Sequence, residues 1–372
     1  MDKDNNISAN ASGAIAPPFD LEALADDSAG VTIADIKSEA AKVGKVSASS
    51  AIGLFLVRTA NACIQDAKGR PIPKQLFGVF WFEGELCILF ADTNLGKSIL
   101  AVQMGDAISK GLAVLGMDAT AKAQTVLYLD CELSDKQFEL RYSENFSGHY
   151  SFSDNFHRAE IDSESELPDS YKGDFEAFLN DSLERAIIQT GAKVVIVDNI
   201  TYLRNATEKA QDALPLMKHL KRLKAKHGLS ILCLAHTPKR DLSKPITRND
   251  LQGSKMLINF CDSSFAIGES HNDKSARYLK QIKSRNTEIV YDTENVILCQ
   301  ISKPTNFLQF DFLGYALERD HLRVHTQDDR ESVIEKVKEL SGQGKRQREI
   351  STMLSISLGA VNKYLKMDDK KD

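Results

Sequence analysis

The 372-residue chain carries a net charge of −5 and is 42% apolar and 27% charged, enough for one large α/β domain of about 250 residues plus small appendages. This balance excludes a uniformly basic nucleic-acid binder. No apolar run approaches the ~18 residues of a membrane span, and the acidic, polar first residues lack a signal-peptide profile, so a cytoplasmic protein is expected.

Residues 1–30, with Asp2, Asp4, Asp20, Glu22, Asp26 and Asp27 against Lys3 and with Pro17-Pro18, read as a disordered acidic tail. Residues 31–75 hold short helical patterns and the turn Lys68-Gly69-Arg70-Pro71, an adaptor or oligomerisation arm. From 76 to 315 apolar strands alternate with helical patterns, which predicts an α/β fold with a mostly parallel sheet flanked by helices. The strands fall at 86–91, 125–130, 193–198, 230–236, 263–268 and 276–284, with a β-rich ending near 288–313. Helices fill 97–110, 134–144, 173–190 and 209–227, and 146–170 is a polar acidic insertion. After a linker at 316–330, residues 331–366 divide into helices near 331–341, 345–353 and 357–366, ahead of a charged tail at 367–372. In this small all-α piece Ile350, Met353, Leu354, Leu358, Val361 and Leu365 share one inner face, and the turn at Leu354-Ser355-Ile356 suits a helix-turn-helix. Cys63, Cys87, Cys131, Cys233, Cys261 and Cys299 form no C-x-x-C pair and read as reduced core residues.

The stretch LCILFADTNLGKSILAVQ sets a buried strand, a tight loop and an amphipathic helix around Gly96-Lys97-Ser98. In a P-loop the backbone N–H groups cradle phosphates, the Lys neutralises the outer ones and the hydroxyl binds Mg²⁺. The phosphate-binding set is therefore Ala91, Asp92, Thr93, Asn94, Leu95, Gly96, Lys97, Ser98 and Ile99, with ATP and Mg²⁺ as ligands. Ala91 stands where the pattern asks for Gly, and Ala does not tolerate a strained positive φ. Three later strands end in Asp130-Cys131-Glu132, Asp198-Asn199 and His236-Thr237, and such sheets bind ligands at their carboxyl edge. The apolar run closed by Asp198 is a Walker B pattern whose carboxylate orders Mg²⁺. Glu132 is placed either to activate water or to favour the next helix's first turn. His236 is placed either to sense the γ-phosphate or simply to close its strand.

Over roughly 76–290 these segments, with YLDCELSDKQFELR, LQGSKM and KQIKSRN, resemble the RecA-like P-loop ATPases, in the branch of the RepA-type and DnaB-type hexameric helicases. The resemblance implies that Glu132 is the catalytic base and that His236 reports the γ-phosphate. It also implies that Lys283 and Arg285 complete the nucleotide site of a neighbouring subunit; alternatively they are a solvated pair at a strand edge.

The segment 237–249 carries Lys239, Arg240, Lys244 and Arg248, spaced cations suited to single-stranded DNA without sequence preference. The last helix presents Asn362, Lys363 and Lys366 for duplex DNA, although three-helix modules also dock proteins. The combined reading is a Mg²⁺-dependent ATPase acting on DNA, a ring-forming homo-oligomer of hexameric type and a replication or mobilisation helicase of a plasmid, phage or integrated element. Its rival is an ATP-switched DNA-binding regulator or transposition accessory protein that unwinds nothing.

Overall fold

Leu86–Ala91 is buried at all six positions, the signature of a parallel strand covered on both faces. Leu86, Ile88 and Phe90 enter one apolar cluster, whereas Cys87, Leu89 and Ala91 enter the other. The period-two alternation of a strand thus divides the core into two layers with the sheet between them.

The computed structural model describes residues 50–52, 55–162, 164–200, 213–238, 240–251, 254–324, 327–354 and 356–368. The chain splits into two units at Ile72/Pro73. In the first, β1 (Ser50–Ile52) and β2 (Phe55–Val57) form an antiparallel pair. Helix α1 (Ala60–Lys68) follows, opened by the Thr59 hydroxyl, which accepts from the Ala62 N–H at 3.2 Å. Three-residue strands are too short to show alternation, so sequence pattern registered only the helix and its closing turn. The expected acidic tail and the start of the arm lie outside the described residues.

The second unit opens with a small hairpin of β3 (Gln75–Phe77) and β4 (Trp81–Phe82). Nine further strands follow in chain order: β5 (Leu86–Ala91), β6 (Val126–Asp130), β7 (Phe156–Ala159), β8 (Val194–Asp198), β9 (Ser230–His236), β10 (Ser263–Glu269), β11 (Ala276–Lys283), β12 (Val296–Ser302) and β13 (Gln309–Ala316). They form one sheet in the order β13-β12-β11-β10-β5-β9-β8-β6-β7. The run from β10 to β7 is parallel, and β11 to β13 add antiparallel strands at one side. Helices α2 (Lys97–Lys110), α3 (Asp135–Arg141), α4 (Phe175–Thr190), α5 (Ala213–His227) and α6 (Ser254–Phe260) connect the parallel strands. This is the α/β architecture, a mostly parallel sheet flanked by helices, that the strand–helix rhythm predicts. No helix among the described residues is long and apolar enough to cross a membrane.

Three details correct the sequence reading. The acidic insertion 146–170 contains β7, an edge strand half-buried at every position, whose FHRA sequence shows no apolar alternation. Helix α6 lies where no helix was expected. Cys63 is exposed, whereas Cys87, Cys233, Cys261 and Cys299 are buried.

The expected linker 316–330 begins as part of the core. Strand β13 runs to Ala316, and the fully buried Glu318 carboxylate binds Lys280 of β11 at 2.5 Å. It also accepts the Ile246 N–H at 2.7 Å, and Lys280 donates to the Ile246 carbonyl at 2.8 Å. Removing one member of such a pair strands a buried charge. Glu318→Ala is therefore expected to cost about 3–5 kcal/mol in equilibrium denaturation, and Glu318→Ala with Lys280→Met should recover most of that loss.

Helices α7 (Gln327–Gly342), α8 (Gln347–Leu354) and α9 (Leu358–Leu365) pack around Val337, Ile350 and Val361. Leu354 and Leu365 join this core as expected. Met353 and Leu358 do not: they are 57% and 39% exposed, because helices of eight residues cover only a narrow stripe around the Ile350 and Val361 contacts.

Candidate functional site

Ala91 is the last residue of β5, paired with His236 on β9 and with Ile267 on β10. It is not among the positive-φ residues, so its Cβ costs nothing there. The left-handed positions fall instead at Asn94 (φ 64°) and Gly96 (φ 93°). Asn is one of the few residues that enters this region readily, which explains how the loop manages without a first glycine. Gly96 has no such freedom, since a Cβ there would lie 2.7 Å from Ile301 and 2.9 Å from the Phe310 ring.

Helix α2 starts at Lys97 with no side chain capping its amino terminus, in contrast to the capping box of Ser134 and Gln137 on α3. Its first-turn N–H groups therefore face the loop. Lys97 is buried, and its Nζ donates to the Ala91 and Asp92 carbonyls at 3.1 and 2.9 Å. Burial lowers its pKa, opposed by the carboxylates of Asp198, Glu132 and Asp92.

Asp198 ends β8 almost fully buried. It receives hydrogen bonds from the Ser98 hydroxyl and from the Tyr128 hydroxyl at 2.7 Å. Burial pushes its pKa up to about 6, with Glu132 and Asp130 adding repulsion and both hydroxyls opposing the shift. A carboxylate raised by burial and neighbouring negative charge, touching the P-loop serine, is a fitting partner for a divalent cation.

A third group closes the site from the ends of β6, β8 and β9. Asn199 donates its side-chain amide to Glu132 and lies 3.2 Å from His236 Nε2. His236 Nε2 is 3.7 Å from Glu132 Oε1. Burial and then the Lys97 charge lower the His236 pKa, favouring neutral imidazole, while Glu132 pulls the other way. Asn199 is the residue that sequence reasoning passed over. Its position directly after the Walker B acid was visible, but nothing local shows that it meets a side chain 67 residues away.

An uncapped helix start, a buried lysine, a hydroxyl on a buried carboxylate and a loop that has room only for glycine together fit a triphosphate with Mg²⁺. The fold and this site have the form of a P-loop nucleotide-binding domain. A family model described as "AAA domain" matches residues 58–241, a span that ends before β10. Among solved structures, a KaiC-like protein from the hyperthermophilic archaeon Pyrococcus horikoshii OT3 is similar at 13% identity, covering 65% of this chain and 98% of its own, with a TM-score of 0.44. No curated protein matches.

The remaining predicted residues lie elsewhere. Lys283 donates to the Ile258 and Cys261 carbonyls at 2.5 and 2.7 Å, at the carboxyl end of α6. Arg285 reaches Asp262 at 3.1 Å. Lys283 pairs with Ser264, and Ser264 with Ile88, whereas Ala91 pairs with Ile267. The two cations therefore sit toward the opposite edge of the sheet from their own chain's P-loop.

The basic segment after His236 is pinned rather than loose. Arg240 turns inward, donating to the Lys244 carbonyl at 2.9 Å and to the Tyr278 hydroxyl. Lys244 is exposed, 3.3 Å from Asp241, and Arg248 is exposed on a single helical turn closed by Thr247 and Asp250. Lys239 lies outside the described residues. On α9 Lys363 is exposed and Asn362 is half-buried, and Lys366, which follows the helix end, is exposed.

Proposed function

We propose that this protein is a Mg²⁺-dependent ATPase that acts on DNA as a homo-oligomer, the hexameric ring of a replication or mobilisation helicase being the version carried forward from its sequence. The observation that carries ATP hydrolysis is the cluster of Glu132, Asn199 and His236 beside Lys97, Ser98 and Asp198. In this reading the α2 amides and Lys97 hold the phosphates, while Ser98, with Asp198 behind it, holds the metal. Mg²⁺ supplies neutralising charge to the phosphate oxygens. Glu132 takes the proton of the water that attacks the γ-phosphorus, ADP leaves, and Asn199 keeps the carboxylate aimed. His236, held neutral, contacts the γ-phosphate or its water.

Two observations bear on the DNA side. Lys283 and Arg285 are held by the Ile258 and Cys261 carbonyls and by Asp262, away from their own P-loop, so a phosphate contact by them would have to be made in trans, and that role rests on the sequence resemblance. The three-helix module turns Lys363 and Lys366 outward from its Val337–Ile350–Val361 core, as a DNA-reading helix requires. A second reading, the ATP-switched regulator, is favoured by the pinned 240–251 segment, whose inward Arg240 leaves less charge for tracking a single strand.

Lys97→Ala should weaken ATP binding by about 10- to 100-fold, the worth of a charged hydrogen bond. A strand-displacement assay beside this variant separates the two versions. A helicase displaces a strand and hydrolyses ATP faster with single-stranded DNA, and Lys97→Ala abolishes both. A regulator protects one duplex site and displaces nothing. Equal displacement by both proteins would remove the motor reading.

A further inference from the structure

The turn that carries Glu132 is gripped by a single guanidinium. Asp130, whose side chain is wholly buried, accepts the N–H groups of Glu132 and Leu133 on Oδ1 at 3.1 and 3.0 Å. Its Oδ2 accepts Arg158 Nε at 2.9 Å. The same guanidinium donates to the Leu133 carbonyl and to Asp135 Oδ1, each at 2.6 Å. It also lies over the Phe138 ring, 5.0 Å from its centroid.

We infer that Arg158 is a positioning residue for ATP hydrolysis, holding Glu132 at its working place through the buried carboxylate of Asp130. The inference rests on Glu132 acting as the base. Arg158 touches Asp130, Leu133, Asp135, Glu160 and Phe138, none of them among the groups assigned to phosphate or metal. It acts on the backbone that presents Glu132, while Asn199 acts on the carboxylate itself. Between them the base is fixed at both ends, which general-base chemistry requires because small misplacements of a reacting group cost large factors in rate. Only arginine does this here: its planar fork reaches a carboxylate, a carbonyl and a second carboxylate together, and a lysine ammonium offers one point of charge. In sequence Arg158 is merely one of two cations, with Lys172, in the acidic stretch 154–184, and β7 brings it beside β6 through the pairing of Tyr128 with Arg158.

The test is a double-mutant cycle with Glu132→Gln in the full chain. Arg158→Gln should lower kcat by about 10- to 100-fold and leave the KM for ATP within about twofold. In the Glu132→Gln background it should cost nothing further, and Arg158→Lys should fall between. Wild-type kcat in Arg158→Gln, or losses that multiply, would overturn the inference. A second readout needs no turnover: amide hydrogen exchange at Glu132 and Leu133 should quicken at least tenfold in Arg158→Gln. It should not change in Arg185→Gln, which breaks an exposed ion pair with Asp181 on α4. Unchanged exchange at Glu132 and Leu133 overturns the inference even if the wild-type chain proves unable to hydrolyse ATP, a result that would count separately against the ATPase reading. If Arg158→Gln does not fold, Arg158→Lys carries both readouts.

Discussion

Glu132→Gln is expected to lower ATP turnover by about 10²- to 10⁴-fold, the usual contribution of a general base, and to leave ATP bound. Gln keeps the size of the side chain and an oxygen that can accept from Asn199, so the site changes in basicity rather than in shape. Lys97, Ser98 and the α2 amides, which grip the phosphates, are untouched. Single-turnover hydrolysis should show a stalled chemical step, and equilibrium binding should give a Kd for ATP within about threefold of wild type, a difference under 1 kcal/mol. Turnover that stays near wild type would move the base elsewhere and leave Glu132 as an acid of the turn ahead of α3.

Gly96→Ala is expected to remove ATP binding and to destabilise the ATPase core by about 3 kcal/mol, summing the left-handed penalty of an L-residue with overpacking. The φ of 93° at this position is one L-residues avoid. The Ile301 methyl can rotate away from an added Cβ, but the Phe310 ring, 2.9 Å distant and 1% exposed, cannot. The loop must then shift, and with it the N–H groups that meet the phosphates. Thermal denaturation and nucleotide binding check the two halves. A folded Gly96→Ala chain with unaltered ATP affinity would show that these amides are not the phosphate cradle. Asn94→Gly, by contrast, should keep ATP binding within about twofold, because glycine enters the same left-handed region freely.

The elements legible in the sequence were those with a strong local signal. β5, β9 and α2 lie where the apolar runs and the Gly-Lys-Ser junction put them. The strands ending in Asp130 and Asp198 differ from expectation by one residue at their starts. The miss at β7 has the opposite cause, since an edge strand of four half-buried residues needs neither apolar alternation nor β-branched side chains. Met353 and Leu358 show the limit of helical periodicity in short helices, where position beside a partner rather than phase decides burial. The 237–249 segment, with four cations and two prolines, read as a tracking loop. Its anchors, Glu318 and Lys280, lie far along the chain.

By itself, then, the sequence determined the parallel α/β layering and the placement of Lys97, Ser98 and Asp198 at the ends of their helix and strand, because each is written within one strand or strand–loop–helix step whose spacing is set by backbone geometry. The tertiary structure alone decided which residues work together: Asn199 with Glu132 and His236, Arg158 with Asp130, Glu318 with Lys280. These pairs span 28 to 67 residues of chain. No local pattern encodes them, since they arise only where strand order and register bring separate segments to one edge of the sheet.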